Sequence, residues 1–210
     1  MTGRIRRTQA ERRSESERAL LDATIEVIAR EGVGAVTFEA LGKTGGFSRG
    51  LATSHFGSKA NLIEAVLRNL HGRQEQLLQD HGLDARPGLD AVLAYADLCL
   101  SQMADSKEAR AYFMLLSSSV AEANEWRPAF AETHAVVKDR LERWIVRGQA
   151  DGQVRREVDP SGTAMMVGCL MFGISMQLLV DPEIEFTALR ESSLAMIRAS
   201  LSGEGMAADD

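Results

Sequence analysis

An all-α fold follows from three properties of the 210-residue chain. Apolar residues make up 45% of it and prolines number only four, so long segments can each bury a face without interruption. Ala, Leu, Glu, Arg and Met dominate those segments, and these residues lose little side-chain freedom in a helix. Sustained alternation of β-branched with polar residues, the mark of strands, is almost missing. The length allows one large domain or two small ones.

Residues 1–14 carry Arg4, Arg6, Arg7, Arg12 and Arg13 with little apolar content. They read as a basic N-terminal arm: a solvated, disordered tail, or an arm that follows a DNA backbone or enters a minor groove. From Ser16 to Glu31, the spacing of Leu20, Leu21, Ile25, Val27 and Ile28 predicts an amphipathic helix, ended by Gly32. Thr37 is placed to cap a short helix from Phe38 to about Lys43. Gly45 and Gly46 supply a turn, because glycine accepts positive φ without steric cost. Ser48 caps a second short helix, Arg49 to about His55. Gly57 breaks it, and Ser58 caps the next helix at Lys59. Two short capped helices around a glycine turn are the layout of a DNA-binding helix-turn-helix.

The residues from about Arg18 to Leu67 carry a more specific pattern. It comprises Leu20-Leu21-Asp22-Ala23, Glu26, Gly32, Thr37, Leu41, Gly46-Phe47-Ser48-Arg49-Gly50 and His55-Phe56-Gly57-Ser58-Lys59 with Leu62. This set resembles the DNA-binding domain of the TetR family of bacterial transcriptional regulators. The chain departs from the family with Ala52-Thr53 where Leu-Tyr is common, and with Gly42 and Gly45 where Ala is usual. Each of these glycines is expected to cost roughly 0.5–1 kcal/mol relative to Ala in a helix.

The helix from Lys59 should run to about Leu78 as a connector, with His71-Gly72 as a soft spot. Asp80 to Gly88, with Pro87, reads as a loop and hinge. Leu89, Val92, Leu93, Ala96, Cys99, Leu100 and Met103 then form a helical stripe. Further helices are expected from Lys107 to about Ala123, from the Asn124–Pro128 corner to about Gln149, and from Asp159-Pro160 to Val180. The Asp-Pro pair is a strong helix start. A last helix spans Phe186 to about Leu201. The expected organisation is an arm (1–14), a helix-turn-helix domain (15–60), a connecting helix (61–80), an effector-binding and dimerisation domain (81–202) and a disordered tail (203–210). The segment Arg147–Arg155, with Val158-Asp159-Pro160, Gly168, Gly173, Gln177 and Asp181-Pro182, is similar to TetR-family effector domains that include betaine-pathway regulators.

The net charge of −6 hides an asymmetry. Residues 1–60 hold ten Lys/Arg against seven Asp/Glu, and the remainder fourteen against twenty-three. A basic end on an acidic body suits a protein that meets phosphate at one end only. The four histidines have no metal-ligand spacing, and there is no phosphate loop or nucleophile elbow. The expectation is therefore a regulator rather than an enzyme, with no cofactor and no metal. Cys99 and Cys169 sit in apolar stretches and read as buried, reduced side chains. The N-terminus lacks a signal peptide pattern, and the apolar run Ala164–Val180 is short and diluted for a membrane span. The expected location is the cytoplasm.

The DNA-facing candidates are Thr37, Ser48, Arg49, Leu51, Ala52, Thr53, Ser54, His55 and Lys59. Thr37 and Lys59 lie at helix starts, where free N–H groups suit phosphate. The others share the second short helix and its cap, where each can serve DNA or simply cap and solvate. Phe38, Leu41, Phe47 and Phe56 are assigned to the core. Met165, Met166, Met171 and Met176 share a helix with Gly162, Gly168 and Gly173, as ordinary core, as a homodimer seam or as the wall of a pliable pocket. A mainly apolar effector could be lined by Tyr95, Cys99, Met103, Phe113, Met114, His134, Met165, Cys169, Phe172 and Gln177, if these are not plain core. The function expected is a ligand-responsive repressor that binds a palindromic operator as a homodimer. The alternatives are an activator, a regulator without effector, or a helical enzyme or interaction protein.

Overall fold

A computed structural model describes residues 8–202; the arginines at 4, 6 and 7 and the tail from 203 lie outside the described residues. Among the described residues there are nine α-helices and no strand. They are α1 (Gln9–Glu31), α2 (Phe38–Gly45), α3 (Arg49–Phe56), α4 (Lys59–Asp80), α5 (Gly88–Asp105), α6 (Lys107–Ala121), α7 (Arg127–Ala150), α8 (Pro160–Val180) and α9 (Phe186–Ser202). Short 3-10 turns occupy Val33–Ala35 and Leu83–Ala85.

The chain forms two compact units, residues 1–72 with 110–127, and residues 73–109 with 128–210. The division falls inside α4 and again inside α6. The loop expected as a hinge, Asp80 to Gly88, therefore lies wholly within the second unit. Its 3-10 turn buries Leu83. Segment 110–127, given to the body from sequence, belongs with the first unit.

In the first unit, Leu20, Ile25, Ile28, Leu41, Leu62, Ile63 and Leu67 are fully buried. Each such side chain contributes roughly 1.5–3 kcal/mol relative to exposure. Helix α1 begins seven residues before the expected Ser16, so the arm does not extend to residue 14. The cause is a capping box: Thr8 Oγ1 accepts from Glu11 N at 3.2 Å, and Thr8 N donates to Glu11 Oε2 at 2.7 Å. The α6 segment brings Tyr112 edge-on to His71, with ring centroids 5.8 Å apart.

The second unit is built on a close approach. A Cβ on Gly88 would overlap the backbone at Trp144 and Gly148, and one on Gly148 would press on Val154. Glycine is therefore required at both positions for α5 to meet α7. Around this point Trp144 Nε1 donates to Asp84 Oδ1 (2.9 Å), Arg147 to Asp84 O (2.7 Å) and Leu89 N to Gln153 Oε1 (3.3 Å). Arg140 donates to both carboxylate oxygens of Glu75, at 2.8 and 2.9 Å. Helix α8 starts as its sequence signal predicts: Asp159 accepts from Ser161 N and Gly162 N, with Pro160 in the first turn.

Candidate nucleic-acid interface

Three side-chain caps set the helix-turn-helix. Thr37 Oγ1 accepts from Ala40 N (3.0 Å), Ser48 Oγ from Leu51 N (3.2 Å) and Ser58 Oγ from Asn61 N (3.2 Å). Each fixes the entry of one helix and leaves other first-turn N–H groups open to an anion. Gly46 (φ 70°) and Gly57 (φ 73°) hold left-handed conformations that end α2 and α3. The glycines at 42 and 45 prove to be required rather than merely tolerated. A Cβ on Gly42 would lie 2.7 Å from Phe47 O, and one on Gly45 would overlap the Phe47 ring. The expectation that Ala would be better there is corrected by that ring, which folds back over α2.

Helix α3 has two sides. Ala52 and Phe56 are buried, at 1% and 9% exposure, and anchor it to the unit. Ala52 therefore cannot reach a base edge, and its place among the DNA-facing candidates is corrected. Ser48, Thr53 and Ser54 are exposed, while Leu51 and His55 are half-buried. The Arg49 backbone opens α3; its side chain lies outside the described residues. Thr37 and Lys59 are exposed. Phe38 and Phe47 are half-buried rather than fully enclosed with Leu41 and Phe56.

Two contacts were not legible in the sequence. Lys59 Nζ donates to Val33 O at 2.9 Å, tying the start of α4 to the turn after α1. Asn61 Nδ2 donates to Phe56 O at 2.9 Å and closes the end of α3. The Asn three residues after Ser58 was their only local signal. Electrostatics favour an anionic partner. No Asp or Glu occurs between Glu39 and Glu64, a stretch that holds Lys43, Arg49 and Lys59. Short hydroxyl side chains on an exposed helix, with cations beside them, are suited to a major groove and its phosphates.

The residues expected to line an effector cavity are divided between the two units. Phe113 and Met114 lie in the first unit and are half-buried; the other eight lie in the second. Tyr95 and Met103 are buried, and Tyr95 packs into the core against Trp144, with ring centroids 5.8 Å apart. Burial pushes the Cys99 thiol up to about 12, against weaker opposing hydrogen bonds from Tyr95 and Gln74. His134 is at the surface, yet partial desolvation lowers its pKa below the ordinary 6.5. Met165, Cys169 and Phe172 are exposed on α8, which corrects the expectation that Cys169 is buried. The reason is the α8 period: Ala164, Val167, Met171 and Ile174 take the inner face, and the residues between them are turned away.

That outer face remains apolar. Met165, Met166, Phe172 and Val180 are 41–77% exposed. A Cβ on Gly168 or Gly173 would meet nothing within 4 Å. By length and composition, α8 is the one helix among the described residues apolar enough to cross a membrane. Beside it opens a groove of about 550 Å³ lined by Cys169, Leu170, Gly173, Ile174, Gln177, Ile184 and Leu189. Among the described residues, no group of three His, Cys, Asp or Glu is arranged to hold a metal.

Comparisons with known proteins agree with this arrangement. Residues 20–66 match the family model of the bacterial regulatory proteins, tetR family. A 56-residue stretch is 43% identical to the HTH-type transcriptional regulator BetI of Rhizobium meliloti (strain 1021); it covers 27% of this chain and 28% of that protein. A Rhodococcus sp. protein described as a TetR-family transcriptional regulator has a similar structure: TM-score 0.73, 27% identity, 90% of this chain and all of that one. SmeT in complex with triclosan aligns at TM-score 0.75 and 24% identity over 91% of this chain and 93% of its own. SmeT is the repressor of the Stenotrophomonas maltophilia efflux pump SmeDEF. Residues 20–66 thus match the tetR family of bacterial regulatory proteins, within a chain whose fold resembles that of the Rhodococcus TetR-family regulator.

Proposed function

We propose that the chain is a cytoplasmic transcriptional repressor that binds a palindromic operator as a homodimer and lets go when an effector is bound. The observation that carries this is the face of α3. It exposes Ser48, Thr53 and Ser54 in a stretch without a carboxylate, between the phosphate-suited helix starts at Thr37 and Lys59. Ser48, Arg49, Thr53 and Ser54 are assigned to the groove, with Leu51 and His55 at its edge. Lys59 is assigned to a phosphate. The uncovered side of α8, with the neighbouring exposed Met196 of α9, supports a homodimer through these two helices across a two-fold axis. Recognition helices so paired would meet half-sites about 34–36 Å apart.

The effector proposed is a mainly apolar organic molecule. The second unit offers apolar surface at the groove containing Cys169 and Gln177, and the structurally similar SmeT has been solved with triclosan. Release follows only if the molecule binds more tightly to the DNA-incompetent state. Selection from a random-sequence duplex pool tests the reading, followed by salt titration of binding. Lys59→Ala should weaken all selected duplexes alike and lower the salt slope by roughly one unit per subunit. Arg49→Ala or Thr53→Ala should change which sequences are preferred. Unchanged affinity in both Lys59→Ala and Arg49→Ala would remove α3 from the role of recognition helix.

A further inference from the structure

We infer that Asn61 is a positioning residue for the recognition helix: its side-chain amide clamps the turn at Gly57 and so fixes the end of α3 from the first turn of α4. The inference rests on the DNA-binding role proposed above and adds to it a residue outside the face assigned to DNA.

Helix α3 has only eight residues, too few to persist alone in water. Its described side chains are buried at Ala52 and Phe56, one turn apart on the same side. Two anchors in one line hold the helix down but let it roll about that line. The exposed Thr53 and Ser54 would swing with it. A groove-reading helix tolerates little of this, because a bond to a base edge needs donor and acceptor about 2.7–3.2 Å apart. Both ends of α3 must therefore be held. Ser48 holds the first, its hydroxyl accepting from Leu51 N at 3.2 Å.

The other end is Gly57, with φ 73° and ψ −50°. Across it Ser58 N donates to Phe56 O at 2.8 Å. Together these make a γ-turn of the positive-φ kind, a rare and strained conformation. Glycine is needed there for the backbone and not for space, since a Cβ would come no nearer than 4.0 Å to Asn61 Nδ2. Asn61 Nδ2 donates to the same Phe56 O at 2.9 Å, so one carbonyl takes both bonds. The start of α1 shows what is particular to this arrangement. There Glu11, the third residue of its helix, accepts from Thr8 N and closes the cap on itself. Asn61 holds the same third position after Ser58, and its backbone N–H donates to Ser58 Oγ at 3.2 Å in the same way. Ser58 N, however, is committed to the γ-turn, and the third side chain is a donor turned back to α3. A carboxylate at that position would serve the cap but could not hold Phe56 O.

The experiment uses the full chain, a duplex it selects from a random pool, and a scrambled duplex of the same length and composition. Asn61→Ala leaves every charge in place. Its preference for the selected over the scrambled duplex should fall roughly fivefold, the worth of one net hydrogen bond. Affinity for the scrambled duplex and the salt slope should not change. Without DNA, hydrogen exchange at the Gly57 amide, which bonds Thr53 O at 2.9 Å, should speed up. Asn61→Asp supplies an acceptor for Ser58 N, as Glu11 does for Thr8 N, and so keeps the start of α4 without a donor for Phe56 O. It should lose preference to the same extent, while its charge weakens both duplexes alike. A preference unchanged in both variants would overturn the inference and leave the DNA-binding role standing. Equal losses on the two duplexes in Asn61→Ala, with a lowered denaturant midpoint, would also overturn it, because Asn61 would then serve stability only. If Asn61→Ala does not fold, Asn61→Asp decides by the same preference measurement. Failure of the unaltered chain to select any duplex would overturn the DNA-binding role and this inference together.

Discussion

Helices α3 and α8 each turn one side to the core and one side away from it, but their unusual residues have different explanations. Around α3 every special residue has a partner inside the chain. Ser48 caps, Gly46 and Gly57 hold left-handed turns, and Gly42 and Gly45 make room for Phe47. On α8 only Gly162 has such an explanation, since a Cβ there would crowd the Asp159 carboxylate. Gly168 and Gly173 face open space, with Met165, Met166 and Phe172 exposed on the same helix. The contrast separates glycines that the fold itself requires from glycines that nothing inside the described residues explains. Glycine in a helix costs about 1 kcal/mol relative to Ala, and the homodimer seam proposed above is what would account for an unexplained pair on an apolar face.

The two cysteines give the largest test of that contrast. With its pKa near 12, the Cys99 thiol should react about a thousandfold more slowly at neutral pH than an ordinary thiol, since only the thiolate attacks. Cys169 is exposed in a single chain. In dilute native protein one thiol should react with a disulfide reagent and the second only after unfolding. Raising the protein concentration should progressively protect Cys169. Protection that ignores concentration would mean that α8 is not covered by a second copy.

Gly173→Arg comes next in size. It introduces a charge where nothing in the chain obstructs it, so the single chain should fold as before. At a helix seam the charge would be buried without a partner, at a cost of about 3–5 kcal/mol. The dimer dissociation constant should rise by a hundredfold or more. Sedimentation velocity across a concentration series measures this, with far-ultraviolet circular dichroism to verify folding. A dimer as tight as the unaltered protein would place the seam elsewhere.

The reverse prediction holds near α3. Gly42→Ala should destabilise by about 1–3 kcal/mol, because the methyl group meets the Phe47 carbonyl and the backbone must shift. Gly72→Ala, in mid-α4 with nothing within 4 Å, should instead stabilise by up to about 1 kcal/mol. Denaturant midpoints of the two variants should move in opposite directions. A stabilising Gly42→Ala would return that residue to the unexplained class occupied by Gly168 and Gly173.

How much of this was legible in the sequence depended on whether the cause was local. Caps at Thr37, Ser48 and Asp159 and breaks at Gly46 and Gly57 act within four residues, and the elements there begin and end as read. The start of α1 is equally local; the Thr8–Glu11 box was overlooked because arginine density drew the segment toward a tail. Long-range causes were hidden. The Phe47 ring over Gly45, the Gly88–Gly148 approach and the Lys59 bond to Val33 need the folded chain. The face of α8 was misjudged for a physical reason. A helix apolar on both sides has no periodicity to orient it, so Met165, Cys169 and Phe172 could not be told from the inner stripe.

The smallest effect concerns His134, one of the surface positions of the second unit. Desolvation lowers its pKa in the folded chain below the ordinary 6.5. The unfolded chain therefore binds the proton more readily, and stability rises with pH across that window. The contribution is fully present above pH 6.5 and is lost as pH falls below it toward the depressed value. His134→Gln should remove this component. Urea midpoints taken at pH 7.5 and pH 5 should therefore differ less for the variant than for the unaltered chain. Equal differences would mean that His134 is hydrated when folded, and would return it to the ordinary surface that the sequence alone could not distinguish.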